Sequence, residues 1–107
     1  MNLQIELKNG VMTAVLGGEL DHHTVGRLRE EIDSTAMKVK PKLLRLDFSD
    51  VPFMDSSGIG LILGRVRVMA VWGGQVALIG LSPQLKRMAE LSGVAALASF
   101  EKKAKGA

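Results

Sequence analysis

The segment from Ile59 to Trp72 is apolar over most of its length, with Asp55-Ser56-Ser57-Gly58 before it and Gly73-Gly74 after it. Asp and Ser accept hydrogen bonds from the free amides of a helix start, and paired glycines stop a helix, so the segment reads as one long central helix. On a helical wheel Ile59, Ile62, Leu63, Val66, Met69 and Ala70 cluster within an arc of roughly 120°, which predicts the face that packs on a sheet. Leu61, Gly64, Arg65, Val68 and Trp72 fall on the opposite side. The rest of the chain must supply the sheet that such a helix covers.

Leu3, Ile5 and Leu7 alternate with Gln4, Glu6 and Lys8, the period of a strand with one wet face. Asn9-Gly10 then supplies a tight hairpin turn, and Val11 to Leu16 returns antiparallel to the first strand. Gly17-Gly18 marks a bend before Glu19-Leu20. A helix follows through about Met37, with Val25, Leu28, Ile32 and Ala36 inward and Arg27, Glu30, Glu31 and Asp33 facing water. Asp21 or Thr24 caps it. Further strands are expected at Leu43 to Phe48 and Gln75 to Gly80, a short helix after Ser82-Pro83 with Leu85, Met88 and Ala89 inward, and a brief last strand within Val94 to Phe100. The fold class is therefore α/β: a mixed β-sheet of four to five strands covered by helices, with the first strand antiparallel at one edge, in a single domain spanning residues 1–107.

At 107 residues there is material for one core and not for two ordinary domains. No cysteine is present, which removes disulfides, thiolate nucleophiles and cysteine-based metal sites, and fits a reducing, cytoplasmic setting. The N-terminus, Met1-Asn2-Leu3-Gln4-Ile5-Glu6-Leu7, is not a signal peptide, and no apolar run approaches about 18 residues, so neither secretion nor a membrane span is expected. The net charge of +3 comes partly from Lys38, Lys40, Lys42 and Arg45, and partly from Lys102, Lys103 and Lys105 in an expected frayed tail. No basic stripe interleaves with aromatics, so direct nucleic-acid binding is not expected.

Asp55, Ser56 and Ser57 exceed what one helix cap requires. A serine hydrolase would need a base and an orienting acid, but His22 and His23 are the only histidines and stand side by side. Gly58-Ile59-Gly60 lacks the Lys-Ser/Thr of a phosphate loop and the third glycine of a dinucleotide fingerprint. Amides at a helix start can hold phosphate, whether from a ligand or carried covalently by Ser57. The opposite stripe of the central helix has two readings: cover by another part of the domain, or a partner-binding patch in which Gly60 and Gly64 permit close approach, Leu61 and Val68 give apolar contact and Arg65 adds charge.

Three stretches, Gly18-Glu19-Leu20-Asp21-His22-His23-Thr24, Leu46-Asp47-Phe48 and Phe53-Met54-Asp55-Ser56-Ser57-Gly58-Ile59-Gly60-Leu61-Ile62-Leu63-Gly64-Arg65, stand in register with Gly73-Gly74 and Ser82-Pro83. In these the chain resembles the bacterial anti-sigma factor antagonist family, whose domain is shared with sulfate transporters, and most closely its early-sporulation branch. The resemblance implies a sheet covered on one side by helices. It implies that Ser57, the second serine, is phosphorylated by a partner anti-sigma factor, a serine kinase that binds the ATP, while Asp55, Ser56 and Gly58 support the loop. It further implies that the unphosphorylated form binds the kinase and frees the sigma factor, and that a serine phosphatase resets the phosphorylated form. No catalytic residue, cofactor or metal belongs to the chain on this reading. Partner contacts are expected at Leu61, Arg65 and Val68, joined by Asp21 and His22 from the preceding loop. A related antagonist in general stress signalling, or a structural interaction module without phosphorylation, are the alternatives.

Overall fold

The computed structural model describes residues 3–103; Met1, Asn2 and the expected tail position Lys105 lie outside the described residues. Alternation at the N-terminus produces a hairpin of β1 (Leu3–Lys8) and β2 (Val11–Gly17), closed by Asn9 and Gly10 with φ of 53° and 78°. Two consecutive positive φ values define the turn whose twist matches that of paired strands, and Gly10 adopts its value without a Cβ penalty. The chain continues through α1 (Val25–Val39), β3 (Leu43–Asp50), α2 (Ser56–Ala70), β4 (Gln75–Ile79), α3 (Pro83–Leu91), a 3₁₀ turn (Val94–Ala96) and β5 (Ser99–Glu101).

The five strands lie in the order β1-β2-β3-β4-β5, with β1 antiparallel to β2 and the remaining neighbours parallel. Right-handed crossovers between strands laid down in sequence order place successive helices on the same face of the sheet. Met12, Ala14, Leu16, Leu44, Leu46, Phe48, Val76 and Leu78 point to that face and share one core with Leu28, Ile32, Leu61, Ile62, Met69, Leu85 and Ala89 from the helices. On the other face Arg45 pairs with Glu101 at 3.3 Å, and Lys103 with Asp47 at 3.2 Å. Lys103 is thus tied to the sheet, contrary to the frayed tail expected of it. Burial acts to raise the Asp47 carboxyl, but hydrogen bonds from Ser49 and the Lys103 ammonium outweigh it and hold the group below its ordinary range.

Helix ends follow the side chains available. Lys40 closes α1 in the left-handed conformation, with its amide donating to Ala36 at 2.7 Å. Ser82 caps α3 by accepting from the Leu85 amide at 3.2 Å, and Pro83 occupies the first helical position. Gly74 follows α2 where an added Cβ would stand 2.6 Å from the end of Met69 and 2.9 Å from the Pro41 carbonyl oxygen, so the backbone passes too closely for any side chain.

Two expectations for α2 are corrected. Ala70 is exposed rather than inward, and the supposed outer stripe is not a surface: Leu61 and Arg65 are each 4% exposed. They are covered by α1, because a helix in a single layer buries one flank against its neighbour as well as its base against the sheet. Trp72 is also only half exposed, its indole N–H donating to the Pro41 carbonyl at 2.8 Å.

Candidate functional site

The site is assembled from two loops at one end of the sheet. Beyond β2, the amide of Leu20 donates to the Phe53 carbonyl and the amide of Asp55 donates to the Leu20 carbonyl, each at 3.0 Å, forming a one-residue parallel bridge between Leu20 and Met54. Leu20 and Met54 are fully buried, which anchors both loops to the core. The clip sets Asp21 and His22 beside Asp55, Ser56 and Ser57, two stretches far apart in the chain.

On the first loop, Asp21 and Thr24 cap each other's backbone. The Asp21 carboxylate accepts from the amides of His23 at 2.9 Å and Thr24 at 3.2 Å, while the Thr24 hydroxyl oxygen accepts from the Asp21 amide at 3.1 Å. Both candidate caps therefore act. These bonds, that from His23 foremost, hold the Asp21 carboxyl below its ordinary range. Its contribution to stability is present above the unfolded carboxylate pKa and is lost as pH falls through the folded one. His22 and His23 are exposed, with ring centroids 3.9 Å apart.

On the second loop Asp55 is the helix cap: its carboxylate accepts from the Ser57 amide at 2.7 Å. Because Asp55 takes that role, neither serine is needed for it, and among the described residues neither hydroxyl has a hydrogen-bond partner. Ser56 is exposed and Ser57 half-buried. Ser57 faces a groove between α1 and α2, whose other walls are His22, Val25, Gly26, Arg29, Gly60, Leu61, Gly64 and Arg65. Gly58 is buried, and a Cβ there would meet the Met54 Sδ at 2.8 Å and its Cβ at 2.9 Å, so glycine lets the first turn of α2 settle on Met54. By contrast Gly26, Gly60 and Gly64 face open space.

Of the predicted partner contacts, Asp21 and His22 stand beside Ser57 at the rim. Leu61 and Arg65 are corrected from surface contacts to buried walls beneath the groove, and Val68, half-buried, is absent from its lining. The sequence reading also missed Asp33, expected to face water, which pairs with Arg65 at 2.9 Å. A lone arginine on an otherwise apolar helix flank was the signal, since a buried cation requires a counter-charge. Arg29, a further groove wall, carried no such signal. Among the described residues no helix is long and apolar enough to cross a membrane and no cluster of His, Asp and Glu could hold a metal.

Known proteins share this arrangement. The STAS domain model matches residues 2–107. The anti-sigma F factor antagonist of Paenibacillus polymyxa is 38% identical over 96 residues, which cover 88% of this chain and 82% of that protein. The anti-sigma-B factor antagonist of Bacillus subtilis is 28% identical over 108 residues, 99% of this chain and 97% of the relative. Among solved structures, the anti-sigma factor antagonist SpoIIAA in its unphosphorylated form superposes with a TM-score of 0.75 at 29% identity, covering 96% of this chain and 89% of SpoIIAA. The Bacillus cell fate determinant SpoIIAA in the phosphorylated form gives 0.77 at 30%, covering 96% and 92%. The sheet order, the clipped loops and the match along nearly the whole sequence place the chain in the STAS domain family.

Proposed function

We propose that the chain is an anti-sigma factor antagonist, a cytoplasmic binding protein without catalysis of its own, and that Ser57 is its regulatory phosphorylation site. The observation that carries this reading is the division of labour at α2: Asp55 caps the helix, leaving the Ser57 hydroxyl free at the mouth of a groove bordered by the Asp21–His22 loop. The relatives' names and the existence of SpoIIAA in both phosphorylation forms support it. The partner is an anti-sigma factor serine kinase that brings the ATP. Ser57 Oγ attacks the γ-phosphorus, the new O–P bond replaces the bond to the β-phosphate oxygen, ADP leaves with that electron pair, and the hydroxyl proton passes to a base on the kinase. A serine phosphatase hydrolyses the ester and restores the binding form.

Two opposing effects govern the phosphorylated state. The positive end of α2 favours the added dianion by about 0.3–1 kcal/mol, but the Ser57 amide is already held by the Asp55 carboxylate, whose charge repels it. The near balance leaves the domain folded, so the switch acts on the partner interface, where a hydrated dianion occupies space the unmodified hydroxyl leaves free.

Incubation with candidate anti-sigma kinases and ATP, followed by mass measurement, tests the assignment. Wild type and Ser56→Ala are expected to gain one phosphate and Ser57→Ala none while remaining folded. Labelling that persists in Ser57→Ala would sink the reading. In direct binding, Ser57→Ala should match wild type and Ser57→Asp should bind at least tenfold more weakly; equal affinity for all three would rule out the charge switch.

A smaller test concerns the open glycines. Alanine at Gly60 or Gly64 meets no neighbouring atom and gains up to about 1 kcal/mol of helix propensity, so thermal unfolding should shift upward. Leucine at either position should fill the groove and weaken kinase binding without loss of folding, which a titration would show.

A further inference from the structure

We propose that Asp33 and Arg65 form a positioning pair, which fixes how α1 lies against α2 and thereby presents Ser57 to its kinase in the productive geometry. This rests on the assignment of Ser57 above.

Arg65 Nε stands 2.9 Å from Asp33 Oδ1, with the arginine side chain 5% and the aspartate 19% exposed. The contact is an ion pair lacking hydrogen-bond alignment, and among the described residues Arg65 Nη1 is sealed from solvent with no partner. Burial is the largest influence on both groups, pushing the Asp33 carboxyl up and the Arg65 guanidinium down against their mutual attraction, and Arg29 adds a second positive charge nearby. Buried pairs of this kind are commonly matched or exceeded in stability by apolar residues of similar volume. Stability is therefore a poor explanation for this pair.

Its position offers a better one. Where α1 and α2 border the groove, Gly26, Gly60 and Gly64 leave open space instead of interlocking side chains. The apolar residues beneath, such as Leu28, Ile32 and Ile62, bind the helices to the sheet, but nondirectional contact permits sliding. An ion pair between the two helices admits far fewer arrangements. Ser57 begins the helix that Arg65 anchors, and the Asp21–His22 loop leads into the helix that Asp33 anchors. A slip of one helix along the other would change the distance between the docking rim and the reacting hydroxyl.

The test uses the full chain as substrate of its anti-sigma kinase with ATP, comparing wild type, the apolar double variant Asp33→Leu/Arg65→Met, and Asp33→Glu. The double variant should unfold at or above the wild-type temperature, keep KM within about twofold and lose kcat by about tenfold or more, as misplacement of a reacting group does. Asp33→Glu, which keeps the charge but lengthens the arm, should show the same split with a smaller loss and serves if the double variant fails to fold. Spin labels at the exposed Ser34 and Arg67 should report a broadened distance between the helices in the double variant. A folded variant phosphorylated at wild-type kcat, with an unchanged label distance, would overturn the positioning role and leave Ser57 assigned. Absence of phosphate on wild type would instead overturn the Ser57 assignment and this inference with it.

Discussion

Asp33→Ala is expected to destabilise the domain by about 3 kcal/mol, measured by urea unfolding. The substitution removes one member of a buried pair and leaves Arg65, itself 4% exposed, without its counter-charge. Breaking a buried pair from one side costs about 3–5 kcal/mol, and the partial exposure of Asp33 places this case at the lower end. The pH dependence carries a second signature. Burial holds the Asp33 carboxyl above its unfolded value, so the folded state takes up this proton the more readily. Its contribution to stability is full below the unfolded carboxylate pKa and is lost as pH rises through the folded one. That component of the slope should vanish in Asp33→Ala. A loss below about 1 kcal/mol, or an unaltered slope, would show that Arg65 finds another partner or reaches water.

Gly58→Ala should act in the opposite sense to alanine at Gly60 or Gly64, though all three lie on one helix. Helix propensity alone favours alanine by up to about 1 kcal/mol. At Gly58, however, the new methyl group would lie 2.9 Å from the Met54 Cβ, an atom fixed to a fully buried residue that is bridged to Leu20. The Met54 sulfur can swing aside; its Cβ can move only with the backbone. Overpacking of this kind costs about 1–3 kcal/mol, so the net result is a loss of about 1–2 kcal/mol and a displaced first turn. Since Ser57 sits on that turn, its phosphorylation should fall by more than the fraction unfolded explains. Equal Tm shifts for all three alanine variants would refute the contact.

Much of the fold was legible because its determinants are local. Asn9-Gly10 specifies its hairpin, Ser82-Pro83 its helix start, and Gly73-Gly74 the end of α2; each carries its reason within a few residues. The central helix was half legible. Its wheel identified Ile62 and Met69 on the sheet, but it assigned Leu61 and Arg65 to the surface because a wheel contains no neighbouring helix. Asp33 was misread for the same reason: its partner lies across a helix interface, and an aspartate among Glu30, Glu31 and Arg29 looks like solvated surface. At the serines, sequence showed a surplus of capping groups but not which one caps. Only the extended conformation of Asp55 and its bond to the Ser57 amide decide that.

The clip between Leu20 and the Phe53–Asp55 strand end gives the rim a kinetic unity that its separate sequence origins do not suggest. Because the amides of Leu20 and Asp55 donate in opposite directions across the same junction, neither loop can peel away without releasing both bonds and uncovering two buried side chains. Amide exchange at these positions should therefore proceed through one shared opening event, with matched protection in the free protein. Kinase docking on the Asp21 side alone should slow exchange at Asp55 as well, so that contact made at one loop is registered at the base of the other.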